Sequence, residues 1–326
     1  MYQDNQEFNQ AKNAFFSILK IQNQKCLAPG QVCRQKVRDC HSVQMKRVLV
    51  ELAENSHLIC IREDTSLLRE ANLDNDRYLD VMYDRISIDK ATTFTGLCSV
   101  HDQTIFRPID TEPIDLFNDE HCFLLSYRAV LKRLTLHYRL AKVLQSIYLK
   151  KSKIAGLSED ELGPDAVAPV LQALSAAQFE LYKKQFDHIY LEKKYSDFYS
   201  RSLILDCNPT FAACDVTVFG TKGNSPLYLS FNIFPFDGKM QVLFSCLIDD
   251  KDALDQFLEP LFRSTLDEQK YWISTFALKC CEDIVFSPSY FSTWSQAKKD
   301  QILHLFWRKM KQISLSYDNA RFNIFD

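Results

Sequence analysis

Along the last third of the chain the apolar positions alternate. In "LYLSFNIF" the residues Leu227, Leu229, Phe231 and Ile233 alternate with Tyr228, Ser230 and Asn232, and in "MQVLFSCLI" Met240, Val242, Phe244, Cys246 and Ile248 share one parity. A period of two is that of a strand with one face turned to a core. The "FPFDGK" between them carries Asp237-Gly238, and "GTKGNSP" carries two glycines and a proline. "FAACDVTVF" and these two runs therefore predict an antiparallel meander. Three helical stretches follow, Lys251 to Arg263, Leu266 to Glu282 and Tyr290 to Ser314, with Ser287-Pro288 between the last two.

Upstream the period lengthens. From His121 to Tyr199 the pattern is helical, interrupted by "GLSEDELGPDAVAP", in which Ser158 and Glu161 have capping-box spacing. The first 120 residues mix short elements: a helix around Glu7 to Gln22, another from Val43 to about Ala53 with Val43, Val48, Leu49 and Leu52 on one side, and a looser stretch ending in "TTFTGLCSVHDQTIFRPIDTEPID". The expectation is an α+β chain in three consecutive regions: 1–120, a helical segment at 121–200, and a meander with packing helices at 201–326.

Composition narrows the classes. The 326 residues are 46% hydrophobic and 25% charged, with net charge -3, which suits a folded globular chain and gives no whole-chain signal for nucleic acid. No run of some eighteen apolar residues occurs, and the start lacks the apolar core and cleavage site of a secretory signal. A cytoplasmic, unanchored protein is expected. Eleven cysteines, an odd number spread over the whole chain, fit reduced thiols, and Cys214 and Cys246 lie in strand-like runs as small hydrophobes.

Two close ligand pairs stand out. Cys26 and Cys33 bracket a Pro29-Gly30 turn, and Cys98 and His101 are separated by two residues after Gly96, with Cys40-His41 in between. Metal sites need thiolates and imidazoles converging within about 2.0 to 2.3 Å of one ion, and pairs held by turns deliver them. This order resembles the treble-clef layout of HNH-type nucleases over about the first 120 residues, and the blocks "HSVQ" and "CSVHDQTIFRPID" are similar to blocks in a group of bacterial proteins. The resemblance implies a zinc-stabilised module in which Cys26, Cys33, Cys98 and His101 hold a structural zinc. It also implies that His41 is the general base beside a second metal, magnesium or manganese.

A second feature is charge. From His121 to Ser158 there is no acidic residue, while eight Lys and Arg occur. At 100° per residue, Arg128, Lys132, Arg139, Lys142, Lys150 and Lys153 fall within about 40° of one line. Such a row suits phosphates, with an acidic protein as the next partner class and a membrane disfavoured by the apolar opposite face. Phosphate-loop, dinucleotide, serine-hydrolase and zincin motifs are absent. The sequence thus points to a nucleic-acid-binding zinc protein, with metal-dependent cleavage if His41 is active. The alternative is a non-enzymatic interaction or regulatory module in which zinc is structural only.

Overall fold

The computed structural model describes residues 25–30, 33–63, 81–154, 166–220, 226–311 and 322–325. The helix expected around Glu7 to Gln22 and the Ser158–Glu161 cap lie outside them. The chain is α+β, as the mixed periods predict, but its two compact units are not consecutive thirds. The first takes Met1–Cys40, Phe94–Ile105 and Val130–Lys194; the second takes His41–Thr93, Phe106–Ala129 and Tyr195–Asp326. Pattern changes along a chain mark where elements change, whereas a unit is defined by which elements share a core.

The first unit holds a two-stranded sheet of β1 (Val37–His41) and β4 (Thr93–Cys98), each strand reaching one residue past the unit's bounds. It also holds the start of α1 (Ser99–Thr111), most of the 36-residue α2 (Asp119–Ile154), and α3 (Val167–Glu192). Ala141, Ala173 and Ala176 form its small-residue core with Tyr148. Small side chains there let two helices approach closely.

In the second unit β2 (His57–Glu63), β3 (Val81–Ser87), β5 (Phe198–Leu205), β6 (Phe211–Phe219), β7 (Leu227–Phe236), β8 (Lys239–Leu247) and β9 (Ile284–Phe286) form one sheet in the order β3-β2-β9-β6-β7-β8-β5. Every pairing is antiparallel. The meander is β6-β7-β8, and Asp237 and Gly238 turn β7 into β8 with φ of 53° and 71°. Two positive φ values fit the hairpin twist, and Asp-Gly is the pair that tolerates them.

The alternation sorts the two faces as expected. Leu229, Phe231, Val242 and Phe244 enter one core with α4 (Lys251–Arg263) and α5 (Leu266–Cys280), where the Phe276 ring meets those of Phe219, Phe231, Phe244 and Phe257. Ser230, Asn232 and Ser245 take the opposite parity and are also buried, with Ser245 hydrogen-bonded to Ser126 of α2. Thr265 caps α5 in a full capping box with Glu268.

Several elements differ from the pattern reading. The helical run ends at Glu192, because Lys193 turns left-handed at φ 52°, and Phe198 onward pairs with β8 as β5. The stretch from Val43 is a π-turn over Met45–Leu49 followed by one α-turn, Val50–Leu52. The last expected helix is two, α6 (Pro288–Ser292) and α7 (Gln296–Lys311), with the Ser295 hydroxyl accepting from the Lys298 N–H at the second start. β9 is three residues long and exists because β2 and β6 flank it.

Glu54 ties the β2 side of the sheet to α6. Its carboxylate accepts from the Ser289 N–H at 2.8 Å and the Ser287 hydroxyl at 3.0 Å, and these bonds to Ser289 and Ser287, with Arg85 nearby, hold its pKa below the ordinary 4.5. A depressed folded pKa gives stability that is present above the ordinary value and lost as pH falls through the folded one. Urea unfolding across pH should therefore show Glu54→Gln destabilised at pH 7, with its gap from wild type closing as the pH drops below 4.5. A gap constant with pH would exclude ionisation of Glu54 as the source.

Candidate metal centre

Three local devices bring the two ligand pairs together. The first is the strand-to-helix junction. Cys98 ends β4 and Ser99 starts α1, so His101 falls in the first helical turn, three residues on and on the same side as Cys98. The second is a backbone bond from the Leu27 N–H to the Gly96 carbonyl at 2.8 Å, which lays Cys26 beside the end of β4. The third is at Gly30, whose φ of 86° bends the chain shortly after Cys26. Gly96 itself has no room for a side chain, since a Cβ would stand 2.7 Å from the Phe94 ring and 3.2 Å from the Thr135 hydroxyl.

Lys183 of α3 fastens this arrangement. Its ammonium donates to the Leu27 carbonyl at 2.6 Å and to Asp187 at 2.7 Å, one turn along the same helix. Burial lowers the Lys183 pKa, and Asp187 opposes that shift. Sequence reasoning passed over this residue. Its signal was a Lys and Asp at i,i+4, a spacing common enough on exposed helices to carry no site information.

The ligand atoms of Cys26, Cys33, Cys98 and His101 all lie within 4.8 Å of one another. Cys33 Sγ is 3.9 Å from Cys98 Sγ, while His101 Nδ1 is 3.3 Å from Cys98 Sγ and 3.5 Å from Cys26 Sγ. A tetrahedron with metal–sulfur bonds of about 2.3 Å and metal–nitrogen bonds of about 2.0 Å has edges of roughly 3.8 Å between sulfurs and 3.5 Å from sulfur to nitrogen. These three separations match the edges of such a cage, so these residues fit a metal ion. Cys26 and Cys98 are 3% and 1% exposed, and Cys33 and His101 are half-buried.

The two buried thiols differ in their electrostatics. Burial pushes the Cys26 thiol up to about 11. At Cys98 burial acts the same way, but the His101 N–H and the Cys33 and Cys26 side chains outweigh it and hold the group below its ordinary value. A metal ion stabilises both as thiolates. Cys40, in the same sequence cluster, is buried with its thiol on the Arg38 and Leu97 carbonyls. It is not part of the group.

His41 ends β1, half-buried, and its Nδ1 meets the Ala91 carbonyl at 2.9 Å. Among the described residues, the Cys26–His101 group is the only set of three or more His, Cys, Asp or Glu side chains that converges as metal ligands do. His41 is not gathered into a second one.

The basic row on α2 is shorter than its angular spacing predicts. Arg128 and Lys132 are 3% and 4% exposed, which corrects the outward placement of both. Arg128 makes a bidentate pair with Asp110 at 2.8 and 3.1 Å and lies 4.1 Å over the Phe106 ring. The reason is that this part of α2 is surrounded: Phe123, Tyr127, Val130 and Leu131 are all fully buried. Farther along, Arg139, Lys150 and Lys153 are exposed and Lys142 is half-buried.

Charge also divides between the units. Over its full residue ranges the unit that contains the Cys26–His101 cluster has 17 Lys and Arg against 11 Asp and Glu, and the sheet unit has 22 against 31. The whole-chain balance of -3 conceals this.

Elemental analysis of protein purified without added metal should return close to one tightly held transition-metal ion per chain. Cys98→Ser should abolish it and cost several kcal/mol of stability, because metal binding free energy enters folding directly. Metal-free protein with all thiols freely titratable would remove the site. Among the described residues no helix is long and apolar enough to cross a membrane. Comparison with protein-family models, curated proteins and solved structures finds no match, so the site is read from its own geometry.

Proposed function

We propose that this is a nucleic-acid-binding protein in which Cys26, Cys33, Cys98 and His101 hold a structural zinc. Three thiolates and one imidazole in a tetrahedral set favour zinc among the common ions. Four protein ligands also complete its shell, so no position is left for the water or substrate that a catalytic zinc requires.

The observation that carries the binding role is the charge of the unit built around that site. An excess of six positive charges over the unit, with Arg139, Lys150 and Lys153 exposed on one line of α2 and Arg34, Lys36 and Arg38 exposed beside Cys33, is the electrostatic footprint of a phosphate-binding surface. Replacing Arg139, Lys142, Lys150 and Lys153 together by Glu should leave the circular dichroism spectrum and metal content unchanged. Affinity for a labelled oligonucleotide should drop by more than about 100-fold, with a flatter dependence on salt. Unchanged affinity would return the row to an ordinary solvated surface.

One observation favours a second reading, metal-dependent cleavage. The HNH resemblance assigns the base to a histidine at a strand end, and His41 sits there with its imidazole oriented by the Ala91 carbonyl. A neutral imidazole held at one nitrogen is the form a general base needs. On this reading His41→Ala abolishes magnesium- or manganese-dependent nicking while zinc content and melting temperature stay near wild type. Wild-type protein that leaves DNA and RNA intact with either ion excludes it.

A further inference from the structure

Along this line of α2, Arg139, Lys150 and Lys153 are exposed and Lys142 is half-buried, and the four cations are not evenly spaced. Arg139 and Lys142 occupy one turn, Lys150 and Lys153 another, and the second pair lies eleven residues beyond the first. At 1.5 Å per residue the pairs are about 16.5 Å apart, and eleven residues at 100° each return within about 20° of the starting direction. The pairs therefore face the same way. Between them the outward positions are Val143 and Ser146, both exposed and uncharged.

A single strand presents a closely spaced run of phosphates, so it rewards cations at every turn and gains nothing from a neutral gap of this length. A duplex presents two phosphate rims separated by an open groove. The major groove of B-form DNA is about 12 Å wide, and the half-width of a phosphate at each rim brings the rows to roughly 18 Å. The wide, shallow minor groove of A-form RNA offers a comparable opening. Long Arg and Lys side chains take up the remaining 1 to 2 Å, well within their roughly 6 Å reach.

We propose that α2 bridges the two phosphate rims of a duplex groove, Arg139 and Lys142 on one rim and Lys150 and Lys153 on the other, making the protein selective for double-stranded over single-stranded nucleic acid. This rests on the nucleic-acid reading above and adds the substrate class. A helix laid across the rims stands off the groove floor, so Ser146 and Val143 do not reach base edges. Binding is accordingly indifferent to sequence, since contacts to phosphate position a protein without reading bases.

The test is fluorescence anisotropy at one salt concentration with the full-length protein and three probes of equal length: a DNA duplex, the RNA duplex of the same sequence, and one of the DNA strands. At least one duplex should bind ten-fold or more tightly than the strand, with no change when the duplex sequence is scrambled. The variants Arg139→Ala/Lys142→Ala and Lys150→Ala/Lys153→Ala should each bring duplex affinity down to about that of the strand. Each should also lower the duplex salt slope by about two, while the strand's affinity falls far less. A strand bound as tightly as both duplexes overturns the bridging geometry and leaves nucleic-acid binding standing. So does a pair variant that weakens strand and duplex by the same factor. Binding to none of the three probes removes the nucleic-acid reading and this inference with it.

Discussion

The unit that contains the Cys26–His101 cluster depends on what happens at Leu27. Its N–H is bound to Gly96 and its carbonyl to Lys183, so one peptide unit on each side of this residue is fixed against β4 and α3. Cys26 is its neighbour. The loop between Cys26 and Cys98 spans 72 residues, and closing a loop of that length has an entropic cost that grows only logarithmically with length. Two hydrogen bonds in a buried setting contribute a few kcal/mol towards it. They do not offset the burial of a thiolate, and burial accordingly pushes the Cys26 thiol up to about 11. A bound cation would supply the missing term. Backbone and Lys183 locate the four side chains, and a bound ion would make their charged forms tolerable in a buried place.

Lys183 itself shows how tightly the term is balanced. A buried ammonium hydrogen-bonded to the residue next to Cys26 is placed to offset some of the negative charge that three thiolates would bring to one ion. Asp187 prevents it from being a lone buried charge. Polar groups of this kind orient the residues that touch a metal, and a site described by its four ligands alone would miss them.

The strands of the meander, the turn at Asp237-Gly238, the two long helices and the four residues of the Cys26–His101 cluster were legible in the sequence. In each the controlling physics is local: a period of two, a positive-φ dipeptide, a 3.6 period, a turn between ligands. β9 and β5 were not legible, because three residues at Ile284–Phe286 become a strand only when β2 and β6 lie on either side, and β5 needs β8. Arg128 and Lys132 failed for a related reason. Angular position on a helix says which residues share a line, but only tertiary neighbours decide whether that line is wet. Here Asp110 supplies a partner and Phe106 a ring face, and an arginine so provided can be buried at little penalty.

Losing those two cations from the surface sharpens what remains. A continuous stripe of six charges would have suited any polyanion, by field strength alone. Four charges in two pairs, with a neutral gap between them, have a length, and a length can be matched or mismatched by a partner. The division of charge acts in the same direction. A chain with pI near 6.2 has no net pull on nucleic acid, yet the screening length at physiological salt is about 8 Å, so a phosphate at the surface of one unit responds to the charges beside it far more than to those of the whole molecule. Local arrangement, both in the metal cage and on α2, outweighs the composition in which it is embedded.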